Sequence, residues 1–400
     1  MLAPLEAGAA RADISPENPV GAYMAGFAPN RLSVGALEPL EATVLYLRRA
    51  DRELCLVSVD CIGLLRPTIE RIRARAHSVA DKTAILVCAT HTHSGVDTLG
   101  IWGPTLLKVI PRGTGIDPAY MERLIERVGD AIDRARAAAR PATLRNAAFS
   151  VDAHWTRNDR KGGGRYDDAA AVALDDASTG DRIATLLNFA SHPETLWEHN
   201  QWLSPDFPGP FRRQVRSQTG GEAVYFSGPL GGMLTPNVPP DASDADRRDY
   251  IERLGAALAT QTLAALADAE PDPAPPFTHA FRLTDFGLQN WRFRLMTRLG
   301  IVPEAYSGTA VQTEVHHARV GKLELFSVPG EPVPELGHRI AARLGGPHRA
   351  LLCLAMDEFG YILEPRMFAD REYHYEKTMS LGPETAETLL RACDALVGAA

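Results

Sequence analysis

The chain has 400 residues, 45% of them hydrophobic and 23% charged, and a formal net charge of −8. That is the composition of a globular protein with material for one large domain or two ordinary ones. The acidic balance argues against nucleic acid as the main partner, because phosphate binding needs a basic surface.

In chain order, strand-like apolar runs are predicted at Ala42 to Leu47, Leu54 to Val59, Thr83 to Cys88, Ala170 to Leu174, Ile183 to Phe189, Ala223 to Phe226, Val311 to His317, Lys322 to Val328 and Ala350 to Leu354. Helical patterns alternate with them. Asp117 is a candidate N-cap with Pro118 at the first helical position, and Ile125, Val128 and Ile132 continue that helix towards Arg140. A second helix is predicted over Asp244 to Ala269, with Tyr250, Leu254, Leu258 and Leu263 on its apolar side, and shorter ones after Pro67, Pro332 and Pro383. The expected fold class is α/β, with mixed, partly antiparallel β-sheets and flanking helices in a single layered domain. Three loops stand out. Lys161 to Arg165 reads as a surface turn, and Asp268 to Pro276 as a Pro- and Asp-rich connection. Gln289 to Ala305 reads as an amphipathic helix that either packs on the core or covers an apolar pocket.

No apolar run reaches the roughly 18 residues of a transmembrane helix. The opening Met1-Leu2-Ala3-Pro4-Leu5-Glu6 lacks the basic n-region and long apolar core of a signal peptide. The five cysteines, Cys55, Cys61, Cys88, Cys353 and Cys393, form no Cys-x-x-Cys and read as small core residues of a reducing, cytoplasmic compartment.

Candidate chemistry sits where strands end. Thr83 to Cys88 runs into Thr90-His91-Thr92-His93-Ser94-Gly95. On an extended backbone, residues two apart share a face, so both imidazoles are expected to address one point. Imidazole is the commonest metal ligand and the usual proton shuttle near neutral pH. Ile183 to Phe189 leads to Ser191-His192-Pro193-Glu194, Lys322 to Val328 to Pro329-Gly330-Glu331-Pro332, and Ala350 to Leu354 to Met356-Asp357-Glu358-Phe359-Gly360-Tyr361. Active-site groups of α/β folds gather at strand ends. Two histidines and a carboxylate without thiolate form a donor set typical of catalytic rather than structural zinc. Each segment taken singly is also consistent with a buried core histidine, a helix-terminal acid or a core tyrosine.

Taken in order, the segments resemble the catalytic domain of the neutral, non-lysosomal ceramidases. The resemblance rests on Ala12-Asp13-Ile14 with Met24-Ala25-Gly26-Phe27, on Thr90 to Gly95, on the stretch around His192, and on Gly232-Met233-Leu234-Thr235-Pro236-Asn237. It continues through Pro329-Gly330-Glu331 and through Tyr361, Tyr375-Glu376 and Gly382-Pro383. Thr235 stands where the family has serine, and Gly35 to Pro39 lacks a histidine usual there. The resemblance implies one Zn2+ held by His91, His192, Glu331 and Tyr361, with His93, Arg157 and Tyr375 as catalytic residues. It implies a zinc-activated water attacking an amide (N-acyl, ceramide-like) or ester carbonyl, with His93 moving the proton and Tyr375 and Arg157 steadying the oxyanion. The expected partner is a small-molecule or lipid-like acyl substrate, placing the chain in lipid and sphingolipid metabolism. Residues 1–400 are expected to form one domain without the family's C-terminal β-sandwich region. Two alternatives stay open: a hydrolase of small polar esters, lactones or amides, and a non-catalytic metal-binding relative. A serine-hydrolase reading lacks a Gly-x-Ser-x-Gly elbow.

Overall fold

In the computed structural model, which describes residues 3–106, 110–302 and 306–398, eight strands form one sheet from two four-stranded halves. The first half holds Leu5–Asp13, Glu41–Arg49, Arg52–Val59 and Ile85–Ala89. The second holds Arg140–Ser150, Asp168–Asp176, Arg182–Phe189 and Glu222–Ser227. The halves join through the short pairing of Glu6 with Pro141 and Ala7 with Arg140. They then fold over one another, so that Ser58 Oγ of the first half donates to the Tyr225 carbonyl of the second at 2.5 Å. A further four-stranded sheet orders Phe277–Gly287, Ala310–Val320, Leu323–Ser327 and His348–Leu352. Most neighbours are antiparallel. Within these two sheets three pairs are parallel: Arg52–Val59 with Ile85–Ala89, Arg182–Phe189 with Glu222–Ser227, and Leu323–Ser327 with His348–Leu352. This is the mixed α/β architecture expected from the alternation of elements.

The helices cover the outer faces. Pro118–Ala137 begins where Asp117 accepts from the Ala119 amide, and buries Leu124, Ile125, Val128 and Ile132 over the first half. Asp244–Ala267 starts with a Ser243/Asp246 capping box and lies with Pro208–Thr219 over the second half. Among the described residues no helix is long and apolar enough to cross a membrane. All five cysteines are buried free thiols.

The structure corrects several boundaries. The run from Thr83 opens as a 3-10 turn capped by Asp81, and the strand proper is Ile85–Ala89. The helix from Asp117 stops at Ala137, and the residues after it form the strand Arg140–Ser150. Leu5–Asp13 and Phe277–Gly287 were not anticipated as strands. The first is rich in alanine, and the second carries exposed polar residues on a half-solvated edge.

The carboxyl ends of these strands are stitched together by backbone hydrogen bonds. The Ala89 amide donates to Leu354 O at 3.1 Å, the Val328 amide to Leu352 O at 2.8 Å, and the Cys353 amide to Ser227 O at 3.0 Å. Beneath them lies a fully buried ion pair. Arg212 Nη1 and Nη2 reach Asp60 Oδ1 and Oδ2 at 3.0 and 2.5 Å, and Thr90 Oγ1 donates to Asp60 at 3.2 Å. Breaking such a pair leaves one buried charge unmatched. Arg212→Met is therefore expected to lower folding stability by about 3–5 kcal/mol, measured by urea denaturation. An unchanged midpoint would contradict the role given to the pair.

Candidate active site

Four stretches that follow different strands converge. His91 lies two residues beyond Ile85–Ala89 with φ +69°, a left-handed conformation that a bulky residue adopts only when its surroundings impose it. The two histidines of the Thr90–Gly95 segment thus do not sit on an extended backbone. They meet because the chain turns at His91, which sets their ring centroids 4.9 Å apart. Phe27, Trp197 and Met233, all around the site, share positive φ values.

The imidazoles are oriented by backbone carbonyls. His91 Nδ1 lies 2.6 Å from Ile62 O, and His192 Nδ1 lies 2.9 Å from Leu234 O. A carbonyl only accepts, so each Nδ1 carries a proton, and each ring turns its Nε2 inward. Both Nε2 atoms face the same oxygen. Glu331 Oε2 is 3.3 Å from His91 Nε2 and 3.1 Å from His192 Nε2. Two lone pairs and a carboxylate oxygen repel unless positive charge lies among them. Without a metal, that charge is a proton. Burial would lower the His192 imidazole, but Glu194 and Glu331 outweigh it and raise it to about 9. Burial would likewise raise Glu331, but His91 and His192 outweigh it and hold the carboxyl low. A divalent cation satisfies the same donors directly.

His93 completes the cluster. Ring nitrogens of His91, His93 and His192 lie within 4.8 Å of one another, all buried. Neither His93 ring nitrogen has a hydrogen-bond partner. Glu194 Oε2 is 3.2 Å from His93 Nδ1, within ion-pair reach but out of hydrogen-bond alignment. Burial, with His91, His192 and Arg31 nearby, pushes this imidazole well below its ordinary value, so it is neutral. Orphaned buried nitrogens beside an inward carboxylate are what a metal-ready site presents. Tyr361 joins through backbone register, because Glu331–Pro332 pairs in parallel with Tyr361–Ile362, Glu331 opposite Tyr361. Its hydroxyl lies 3.8 Å from Met233 Sδ, and burial with Glu331 beside it raises the phenol well above its usual value.

His91, His93, Glu331, Tyr361 and Tyr375 all line one narrow cavity, of about 60 Å³. Its other walls are mostly apolar, among them Phe27, Ile62, Leu65, Leu99, Trp102, Phe293 and Met296. His192 lies behind this surface, fully buried. Tyr375 is half-exposed at the edge, its ring 6.0 Å from that of Tyr361. Arg157 is not brought into the cavity. Its guanidinium reaches Asp159 at 2.7 Å and the Pro236 and Val238 carbonyls, and braces the strand Leu234–Pro236 that carries the His192-orienting carbonyl. Trp102 and Phe293 are large aromatic side chains that wall the cavity beside Phe27. Leu106 and Trp291 face outward, and Trp197 packs behind Phe27 with ring centroids 5.4 Å apart.

Three contributors were missed by sequence reasoning. Glu194 lies two residues after His192, inside a segment already singled out, yet only the fold shows that it reaches His93. Arg31, buried, donates to the backbone carbonyls of Ala25 and His93. Glu358 lines the cavity with Oε1 accepting from the Gly360 amide at 2.9 Å and Oε2 unpartnered, and burial beside Glu331 drives its carboxyl well up.

No family model matches the sequence. Neutral ceramidase of Pseudomonas aeruginosa is 24% identical in an alignment 293 residues long that covers 67% of this chain and 41% of that protein. The chain thus spans less than half the length of this curated relative. The crystal structure of neutral ceramidase from P. aeruginosa superposes with a TM-score of 0.80 at 18% identity, over 99% of this chain and 75% of that one. A ceramidase complexed with C2 gives the same values. In fold the chain is similar to neutral ceramidase. In this ceramidase-like fold the segment Met24-Ala25-Gly26-Phe27 acquires a physical purpose. Gly26 has φ +83°, and a Cβ there would lie 2.7–2.8 Å from His93 Cγ, Cβ and Nδ1. Only glycine lets this loop press on the His93 ring. Gly26→Ala is expected to cost about 1–3 kcal/mol of folding stability from backbone strain, read by urea denaturation. A parent-like midpoint would mean that the loop does not hold the ring.

Proposed function

We propose that the chain is a zinc-dependent hydrolase that cleaves an N-acyl amide, or a related ester, by attack of water. The observation that carries this reading is the inward convergence of two carbonyl-oriented imidazoles on one carboxylate oxygen, with a third, unpartnered imidazole beside them. Likeness to neutral ceramidase supports an amide-bond hydrolase, and the apolar walls suit an acyl group. In this reading His91, His192, Glu331 and Tyr361 hold the metal, and residues 1–400 act as one hydrolytic domain. Zinc in such a site would supply Lewis-acid polarisation and bring the pKa of water from about 15.7 towards 7.

The chain's own residues do the rest. His93, neutral and stripped of competing hydrogen bonds, accepts the proton of the attacking water at one ring nitrogen. It then delivers that proton to the leaving nitrogen or oxygen. Glu194, within ion-pair reach of the ring, offsets the positive charge that the imidazole gains. Arg31 and Gly26 fix the His93 backbone and ring against the cavity. Tyr375 donates from the edge to the oxygen that becomes negative as the carbonyl carbon turns tetrahedral. Arg157 contributes at one remove, through the strand that orients His192.

The test is a panel of N-acyl amides and esters of increasing acyl length, assayed with and without chelator. The expected result is a rate that rises with acyl length, disappears with chelator and returns with zinc, and is lost in His91→Ala. Full turnover in metal-free protein would remove the zinc reading, and a flat profile with best rates on short esters or lactones would favour a polar substrate. Glu194→Gln is expected to lower kcat roughly 10–100-fold with little change in KM, because it acts on His93 rather than on substrate. An unchanged kcat would exclude that role.

A further inference from the structure

Two polar side chains that line the cavity, Tyr306 and Glu358, take no part in holding metal, moving protons or meeting the oxyanion. The Tyr306 hydroxyl is already spent, because it donates to Asp357 Oδ1. Glu358 remains. Its Oε1 accepts from the Gly360 amide at 2.9 Å, and no protein group among the described residues reaches Oε2. The side chain is buried and packs over the backbone of Gly63, where an added Cβ would lie 2.7 Å from Glu358 Cγ and 3.2 Å from Oε2. The carboxyl is thus held by an amide on one oxygen and by close packing along its stem, with the other oxygen left over.

Glu358 belongs to the enclosed part of the cavity. Gly63, beneath it, follows Ile62, and the adjacent Asp357 accepts from the Arg66 amide at 3.3 Å, next to Leu65. Ile62 and Leu65 are apolar wall, whereas Tyr375, 45% exposed, marks the open edge. A plain hydrocarbon chain lying on that wall would leave Oε2 without a partner, and a buried carboxyl oxygen without one is costly. A hydroxyl removes the cost. It both donates and accepts, so it pairs with a carboxyl with or without its proton. It is uncharged, so it enters an apolar cavity more cheaply than an ammonium does. Carbonyl and ether oxygens only accept.

We propose that Glu358 is a specificity-determining residue that hydrogen-bonds a hydroxyl on the acyl group, so that the substrate is a hydroxyacyl amide or ester rather than one with a plain hydrocarbon chain beside the carbonyl. This rests on reading the cavity as the site of an acyl-bearing substrate, and it names the class of acyl group. Glu358 and Glu331 line the same narrow cavity, of about 60 Å³, so the hydroxyl sits within a few carbons of the carbonyl that is attacked. A site built to hydrogen-bond a hydroxyl rejects the analogue lacking it far more strongly than an apolar pocket rejects a missing methylene. One buried carboxyl in an otherwise apolar wall is therefore a strong filter.

The experiment is calorimetric binding, to the zinc-loaded full chain, of hydrolysis-resistant ketones in which a methylene replaces the scissile nitrogen. One ketone carries a short plain acyl group. Others carry the same group with a hydroxyl on its second or its third carbon, and a last one has the hydroxyl on the leaving-group side. Turnover of the matching amides and esters is followed in parallel. An acyl-hydroxylated ketone is expected to bind roughly 10–100-fold more tightly than the plain one. Glu358→Leu, with Glu358→Ala as a smaller apolar variant, should abolish that preference and bind the plain ketone more tightly than the parent does. Glu358→Gln keeps an acceptor for the Gly360 amide and a polar group in place of Oε2, so it should keep the preference. Four results would overturn the proposal: equal binding of the plain and acyl-hydroxylated ketones, tighter binding only of the ketone hydroxylated on the leaving-group side, an undiminished preference in either folded apolar variant, or loss of zinc from Glu358→Gln, which would make the carboxyl a ligand of the metal. The expected binding preference without hydrolysis of any matching amide or ester would leave the role of Glu358 standing and remove the hydrolase reading instead.

Discussion

One carboxylate oxygen organises this molecule. Glu331 Oε2 lies within 3.3 Å of two imidazole nitrogens whose opposite ring nitrogens are tied to backbone carbonyls. The arrangement is buried, and a buried charge is unfavourable unless it is matched. The fold therefore has to bring the ends of separate strands to one point and keep them there. The amides that cross between Ala89 and Leu354, Val328 and Leu352, and Cys353 and Ser227 do this without using side chains. Four of the nine described non-glycine residues with positive φ, His91, Phe27, Trp197 and Met233, lie around that same point. A left-handed backbone at such bulky side chains is held in place by the packing around them.

The order of the motifs was legible in the chain because each donor follows a recognisable apolar run and a turn. His91, Glu331 and Tyr361 were singled out that way, and the structure brings them to one cavity whose wall also includes Ile62, Leu65 and Tyr306, which no motif marked. The reason given for the approach of His91 to His93 was nevertheless not the one the structure uses, because the strand ends at Ala89 and the turn at His91 does the work. Contacts between distant segments were not legible. Nothing local marks Glu194 as the neighbour of His93, Arg31 as the clamp on its backbone, or Arg157 as a brace for Leu234–Pro236. Leu5–Asp13 and Phe277–Gly287 escaped notice because an alanine-rich strand and a half-solvated edge strand lack the branched apolar pattern that marks a buried one.

The same physics links the site to its surroundings. Apolar walls around a metal-ready cluster exclude water and strengthen every charge interaction inside. They also require a route by which an apolar group arrives. The helix Trp291–Arg298 supplies Phe293 and Met296 to that wall. Its last neighbours in the predicted cover, residues 303–305, lie outside the described residues.

The most direct measurement is anomalous diffraction at the zinc edge from crystals of the protein grown with zinc. The account predicts a single strong peak among His91 Nε2, His192 Nε2 and Glu331 Oε2, with Tyr361 beside it. A peak only elsewhere, or none among these atoms while they keep their present positions, would contradict it.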